Sequence, residues 1–211
     1  MSPHPDDESL GCGGTLRKHI LDGDVVQVIF LTSGEKGGHG LSVEKTKERR
    51  ERETQVAAKI LGYDGIQFWH EPDGELRATA ANSDRLLTKL AEWKPAILYV
   101  THGREMHPDH AAAAEIVRNA VNGLPPDETC CDVLTYEIWT PLQQIDVIVD
   151  ISEYIEAKRS AIRAYETQMS VMRLDEAVLG LNRYRGEMHS WPGGDYAEAF
   201  MRMSTAAQSD T

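Results

Sequence analysis

The first residues able to do chemistry form one short segment, His4-Pro5-Asp6-Asp7-Glu8. His4 and Asp7 are three positions apart, so they share a face in a turn or in the first turn of a helix. A nitrogen and an oxygen ligand that converge in this way supply half of a catalytic zinc site. Asp6 then points elsewhere and is free to handle a proton. A simple turn followed by a helix cap would use the same residue types.

A second cluster, His107-Pro108-Asp109-His110, also precedes a predicted helix. It offers the third protein ligand that a catalytic zinc site needs beside an open position for water. Taken alone, it could be a polar loop that caps the helix. Two such clusters in one chain, each directly before a helix, favour metal chemistry over two unrelated caps.

The two clusters, in this order, resemble the PIG-L/LmbE-like family of zinc-dependent N-acetylglucosamine deacetylases. Three further segments extend the resemblance over nearly the whole chain: Thr32-Ser33-Gly34-Glu35-Lys36-Gly37 after a strand, Arg50-x-x-Glu53-x-x-x-Ala57-Ala58-x-x-Leu61-Gly62 on a helix, and Tyr196-Ala197-Glu198-Ala199-Phe200 near the end. The resemblance implies a hydrolase that removes acetyl from an N-acetylglucosamine-type conjugate. Inositol, malate, a second sugar or an antibiotic scaffold as the rest of that conjugate stay open. We expect one deacetylase domain over residues 1–203 and a disordered tail over residues 204–211.

The i,i+3 spacing and the resemblance together assign His4, Asp7 and His110 as metal ligands. Zn²⁺ is the expected cofactor, and Fe²⁺ stays open. Zinc with three protein ligands and an open position activates water and polarises a carbonyl. Asp6, beside a ligand but not itself one, is expected to act as the general base.

The resemblance also implies roles around the second cluster. A protonated His107 would stabilise the oxyanion, and Asp109 would orient His107 and keep it cationic, since a neighbouring carboxylate raises a histidine's pKa. Alternatively, His107 is a fourth ligand or a structural residue, or it exchanges roles with His110. Arg50 and Asp73 match positions that contact sugar hydroxyls in the family; a solvated helix charge and a turn residue are the simpler readings.

Charge and composition restrict the kinds of partner that this chain is expected to bind. The chain has 211 residues, with 22 Lys plus Arg against 34 Asp plus Glu and a net charge of −12. This balance argues against nucleic acid or an anionic membrane surface as the partner and leaves a small N-acetylated sugar conjugate. No apolar run is long enough to span a bilayer and no signal peptide opens the sequence. Cys12 and the adjacent pair Cys130 and Cys131 suggest reduced thiols, and hence a cytoplasmic protein.

Hydrophobic periodicity alternates between strand and helix along the chain. Helices are expected at 8–21, 42–61, 82–93, 110–122 and 152–168, and strands at 25–31, 65–69, 96–101, 133–138 and 145–149. This order predicts a single-domain, Rossmann-like α/β fold with a largely parallel sheet and helices on both faces. Ligands then collect at the carboxyl ends of the strands. Residues 169–191 lack clear periodicity and fit a lid, a subunit contact in a homo-oligomer, or packing against the sheet.

One departure from the family concerns the first strand. Family members carry a full hydrophobic strand before the His-Pro-Asp-Asp run, whereas only Met1-Ser2-Pro3 stands there in this sequence. We therefore expect a truncated first strand that leaves a gap or an unpaired edge in the sheet. We also expect the true reading frame to begin further upstream.

Other function classes fit less well. Gly11-Cys12-Gly13-Gly14 fails the dinucleotide-binding pattern because Leu16 occupies the last glycine position. No Gly-Lys-Ser or Gly-Lys-Thr exists for a P-loop. A metal-dependent phosphoesterase remains an alternative but would need more ligands for two metals. A non-catalytic sugar-binding protein on the same scaffold is the other alternative.

Overall fold

The computed structural model describes residues 1–125, 131–189 and 194–204. Its helices are α1 (Asp7–Asp22), α2 (Val43–Leu61), α3 (Ala80–Trp93), α4 (Pro108–Asn122), α5 (Ile155–Ala164), α6 (Glu166–Met169) and α7 (Leu174–His189), with a 3-10 turn at Ser152–Tyr154. Its strands are β1 (Gln27–Phe30), β2 (Gly65–Phe68), β3 (Ile97–Thr101), β4 (Asp132–Tyr136), β5 (Val147–Asp150) and β6 (Ala197–Arg202). Cys130, Trp191 and residues 205–211 lie outside the described ranges, so the predicted tail and domain boundary stay predictions.

The strands form two sheets. β1 and β2 pair in parallel, and a four-stranded sheet has the order β3-β4-β6-β5. β3 and β4 are parallel, whereas β6 runs antiparallel to both of its neighbours. The α/β fold and its parallel strands are confirmed. The sequence had marked residues 196–200 only as a family segment, not as a strand.

Side-chain alternation along β1 explains why helices cover both faces. Ile29 packs in a cluster with residues of α3 and α4, such as Leu86 and Val117. Phe30, the next residue, packs on the opposite face with residues such as Leu61 of α2. Successive side chains of a strand point to opposite faces, so β1 contributes to both clusters. Within the described part of the chain, no helix is long and apolar enough to cross a membrane.

A slot separates β1 from β3 over part of their length. Met1 and Ser2 lie between β1 and β3 at one end: the Ser2 amide donates to Ile29 O at 2.8 Å, and the Met1 amino group donates to Tyr99 O at 2.7 Å. Ser2 forms only an isolated parallel bridge with Phe30. Below them, a cavity of about 410 Å³ opens between the two strands, with Val28 and Leu98 among its lining residues.

The C-terminal part differs from the expected pattern in two places. The helix expected at 152–168 is broken at Tyr165, whose ψ of 63° is not helical and whose hydroxyl donates to Glu8 at 2.7 Å. Residues 169–191 contain α7, which packs against the sheet through Asn182, whose amide donates to Ala197 O at 2.9 Å. Of the three readings for this segment, the structure shows packing.

Glu198 of β6 shows what the Tyr196–Phe200 segment does structurally. Its carboxylate accepts the amide hydrogens of Gly14 and Thr15 at 2.9 and 2.8 Å, just after α1 departs from helical geometry at Cys12. Lys158 donates to the same carboxylate at 2.6 Å, and both charged groups are buried. The segment therefore joins α1 and α5 to the sheet.

Candidate active site

The candidate site is built around His4 at the carboxyl ends of the strands, as the α/β fold predicts. Ser2 continues the backbone hydrogen bonding of β1, since Leu31 N donates to Ser2 O at 2.9 Å. His4, two residues later, is only 7% exposed. The loops after β1, β2 and β3 supply its surroundings. His4 is therefore a fixed, buried group.

Three donor atoms form a nearly equilateral triangle. His4 Nδ1 lies 3.1 Å from Asp7 Oδ2 and 3.3 Å from His110 Nε2, and the Asp7 and His110 atoms are 3.2 Å apart. Zinc bonds of 2.0–2.1 Å in a tetrahedron place neighbouring ligand atoms about 3.3 Å apart. Two imidazole nitrogens and a carboxylate oxygen are also a donor set that zinc accepts. The three residues predicted as ligands thus meet at the spacing such a metal needs.

The other nitrogen of His4 faces two more carboxylates. His4 Nε2 lies 3.1 Å from Asp109 Oδ2 and 3.3 Å from Asp73 Oδ1. These three residues could also group around an ion, as could His4 with His107 and His110. The Asp109 carboxylate, however, already accepts the amides of Gly74 at 2.7 Å and Leu76 at 3.2 Å. A carboxylate that holds the second nitrogen of a metal-binding histidine is a common supporting arrangement.

The surroundings of Asp7 and His4 favour the charged forms of both side chains. Burial opposes the charge on Asp7, but His110 and His4 hold the pKa of Asp7 far below its usual value. Burial likewise opposes a charge on His4, yet hydrogen bonds to the surrounding aspartates hold the pKa of His4 well above 6.5. A cation is therefore stabilised at this point, whether it is a proton or a metal.

Asp6 stands beside this cluster in a strained conformation. Its φ of 120° lies in a region that residues with a side chain rarely adopt. Its carboxylate accepts from Arg50 at 3.0 Å, and burial raises the pKa of Asp6 to about 8 despite that cation. Such a pKa lies close to the value that suits a general base at neutral pH.

Arg50 is directed into the site wall. This side chain is 4% exposed and donates to Gly34 O at 3.0 Å, as well as to Pro5 O and Asp6. The loop after β1 therefore joins the site through Arg50. Further along the same loop, the Lys36 amide donates to Asp73 Oδ2 at 2.8 Å.

The surroundings of His107 favour a neutral ring, whereas the resemblance implies a cationic one. It forms the N-cap of α4, and its Nδ1 accepts the Asp109 amide hydrogen at 3.2 Å. An Nδ1 atom that accepts cannot carry a proton, so the neutral ring holds its proton on Nε2. Burial and the nearby His4 and His110 lower the pKa of His107. The Asp109 side chain contacts His4, so a cationic His107 held by Asp109 stays a prediction.

The sequence analysis did not identify Glu105 as a residue that lies beside the site. Its side chain is buried and accepts three consecutive amides, from Ile138 to Thr140, at 2.6 to 3.2 Å. It also lies 3.9 Å from His110 Nδ1, which has no hydrogen-bond partner in the described residues. An acidic residue two positions before the second histidine cluster was the available signal.

Buried histidine and carboxylate donors at the carboxyl edge of an α/β sheet are typical of metal-dependent enzymes. Comparisons with known proteins narrow this class. The family model described as PIG-L: GlcNAc-PI de-N-acetylase matches residues 1–121. This chain belongs to the PIG-L family.

Individual relatives agree with this assignment. Diacetylchitobiose deacetylase from Thermococcus kodakarensis is 31% identical over 221 residues, which cover 94% of this chain and 79% of that protein. A conserved protein from Thermus thermophilus has a similar structure, with a TM-score of 0.84 and 32% identity over 96% of this chain and 92% of that one. The 4-carboxy-2-hydroxymuconate hydratase from Pseudomonas putida gives 0.82 at 24% identity, covering 96% and 94%. That likeness shows the fold alone.

Proposed function

We propose that this chain is a metal-dependent N-deacetylase that removes acetyl from an N-acetylglucosamine-type conjugate. The observation that carries the proposal is the triangle of His4, Asp7 and His110 donor atoms, 3.1 to 3.3 Å apart, with Asp6 next to it in the chain. Membership of the PIG-L family and the deacetylase relative support the reaction. Two-metal phosphoester chemistry has less support, since the donor atoms share one centre around His4.

His4, Asp7 and His110 are the proposed ligands, with Zn²⁺ as the proposed cofactor and Fe²⁺ as the alternative. The bound ion would supply a Lewis acid that activates water and polarises the acetyl carbonyl. Asp109 and Asp73 are less suited to join this triangle, because they contact Nε2, on the other side of the His4 ring. Their proposed part is to hold His4 Nε2, although Asp73 keeps its proposed contact with the sugar as well.

Asp6 is the proposed general base. It would take a proton from the attacking water and, by family analogy, return it to the leaving amine. Burial raises its pKa to about 8, so the carboxylate holds a proton well enough to return it near neutral pH. Arg50, 3.0 Å away, keeps the ionised form accessible and orients it.

His107 is the proposed donor to the oxyanion. Because its Nδ1 accepts the Asp109 amide, its proton lies on Nε2 and is available for a hydrogen bond. A neutral imidazole can stabilise a developing oxyanion in this way. The His107 ring centroid lies 4.7 Å from that of His4 and 5.0 Å from that of His110, so this donor is beside the ligand triangle.

The proposed partner is a small N-acetylated sugar conjugate. Arg50 lies 3.0 Å from Asp6 and Asp73 lies 3.3 Å from His4, so a sugar bound by either residue would lie beside the reacting groups. A cytoplasmic location is also proposed, since Cys12 and Cys131 are free thiols in the structure.

The test is acetate release by the zinc-loaded protein from a panel of N-acetylglucosamine conjugates that carry a second sugar, malate or inositol. Asp6→Asn, with the same zinc content, is the matched control. Release that disappears in the control supports the proposed reaction. A protein that binds one zinc per chain and releases no acetate from any of the conjugates contradicts it.

A further inference from the structure

Glu8 is a buried carboxylate that the proposed chemistry does not use. It is 2% exposed, and its Oε1 accepts hydroxyl hydrogens from Ser9 and Tyr165 at 2.7 Å and from Tyr63 at 3.3 Å. Its Oε2 accepts the amide hydrogen of Asp6 at 3.2 Å. A glutamate that serves only as a negative charge at the start of a helix would be exposed to water. Glu8 instead satisfies four donors inside the protein.

The partners of Glu8 come from separate elements. Tyr63 follows α2, and Tyr165 stands at the break between α5 and α6. Burial raises the pKa of both tyrosines well above 10, so their hydroxyls remain donors at neutral pH. The carboxylate is therefore held in position by α2 and α5 before it contacts Asp6.

Asp6 needs such support because its backbone is strained. A φ of 120° for a residue with a side chain persists only where the surrounding structure fixes it. Arg50 holds the Asp6 carboxylate, but within the described contacts the Asp6 amide is held by Glu8. Loss of that amide contact would allow the peptide to relax and move the carboxylate.

We propose that Glu8, braced by Tyr63 and Tyr165, is a positioning residue that fixes the strained backbone of Asp6 and so aims its carboxylate at the reacting water. The proposal rests on the proposed function, in which Asp6 is the base. Glu8 acts as a hydrogen-bond acceptor in this role, and its charge is not required. A glutamine at this position can accept the Asp6 amide through its oxygen and donate to tyrosine oxygens through its nitrogen.

The test compares Glu8→Ala and Glu8→Gln with the wild-type chain, all zinc-loaded. Glu8→Ala should lower kcat about 10- to 100-fold, since small misplacements of a reacting group have effects of this size. KM and zinc stoichiometry should be unchanged, and Glu8→Gln should recover most of kcat. Amide hydrogen exchange of Asp6, followed by mass spectrometry or NMR, should be faster in Glu8→Ala than in Glu8→Gln.

Glu53→Ala is the matched control. Glu53 is another buried glutamate that accepts a backbone amide and a hydroxyl, both from Thr167, at 2.9 and 2.6 Å. Its removal should lower thermal stability to a similar extent and leave kcat and Asp6 exchange unchanged. If Glu8→Ala does not fold, Tyr165→Phe takes its place. This variant removes one hydroxyl that holds Glu8, so we expect a smaller loss of kcat.

Several outcomes would overturn the inference. They are a wild-type kcat in Glu8→Ala, a Glu8→Gln variant as impaired as Glu8→Ala, or Asp6 exchange that Glu8→Ala does not change. If the wild-type protein releases no acetate, the proposed function fails separately, and the exchange measurement alone decides whether Glu8 fixes Asp6.

Discussion

His4 Nε2 lies 3.1 Å from Asp109 Oδ2, and this contact joins the first histidine cluster to the second. The Asp109 carboxylate is itself fixed by the amides of Gly74 and Leu76 in the loop after β2. The His4 ring is thereby turned so that Nδ1 faces Asp7. The Asp109 carboxylate therefore contacts the ring of the proposed ligand His4.

Asp109→Asn should weaken zinc binding about 10- to 100-fold, the usual cost of losing a carboxylate behind a metal-binding histidine. Competition with a chromophoric chelator measures the affinity. Asp24→Asn is the matched control, since Asp24 contacts His19 at 2.7 Å in a remote Asp–His pair. Equal zinc affinities in the two variants would show that Asp109 does not support His4.

His110→Ala and His107→Ala should differ in metal content. His110 Nε2 is one corner of the donor triangle, whereas His107 uses its Nδ1 to cap α4. His110→Ala should therefore lose stoichiometric zinc, and His107→Ala should keep it and lose activity. Metal analysis after dialysis distinguishes the two. The opposite result would mean that these histidines exchange the proposed roles.

Asp6→Asn should keep its zinc and lose turnover by about 10²- to 10⁴-fold, the usual contribution of a general base. Asparagine has nearly the same shape as aspartate and cannot accept the proton. Acetate release per bound zinc is the appropriate measurement. Substantial turnover in this variant would exclude Asp6 as the base.

Arg50→Lys should separate the two proposed roles of Arg50. The guanidinium bonds Gly34 O and Asp6 at the same time, which an ammonium group cannot reproduce in that geometry. We expect kcat to fall about tenfold or more, with little change in KM. Arg49→Lys, on the same helix but pairing with Glu166 at the surface, is the control. A raised KM with a normal kcat would instead indicate that Arg50 mainly binds the sugar.

Zinc affinity should rise with pH, by up to about tenfold per unit while His4 is protonated in the metal-free protein. Burial opposes that proton, but hydrogen bonds to aspartates hold the pKa of His4 well above 6.5. Protonated His4 stabilises the metal-free fold fully below the unfolded pKa of about 6.5, and this contribution is lost as pH rises through the raised pKa. Zinc titrations in weak buffer should show proton release. A pH-independent affinity would contradict the raised pKa.

The sequence singled out His4, Asp7 and His110 because they lie in two short clusters with local spacing, and the structure brings these three side chains together. It also predicted the strands that deliver them, since buried strands have a clear apolar pattern. The partner of Asp109 was not predictable, because the choice between His4 and His107 depends on how the loop after β2 wraps around the carboxylate. Although His107 and Asp109 are close in the sequence, the His107 ring at the N-cap accepts the Asp109 amide.

The C-terminal region was less readable for a different reason. α7 has buried polar groups such as Asn182 and Arg185, which blur its hydrophobic period. The break at Tyr165 coincides with a long-range contact to Glu8, 157 residues away in the chain. β6 lies between two antiparallel neighbours, and its second residue, Glu198, is of a type that strands usually avoid.

The backbone contacts of Met1 and Ser2 have a mechanical consequence. Ser2 hydrogen-bonds to β1 and Met1 to Tyr99 of β3, so the segment that leads to His4 connects the two sheets. A shift of one sheet relative to the other should therefore be transmitted to His4 and should change the spacing of the donor triangle.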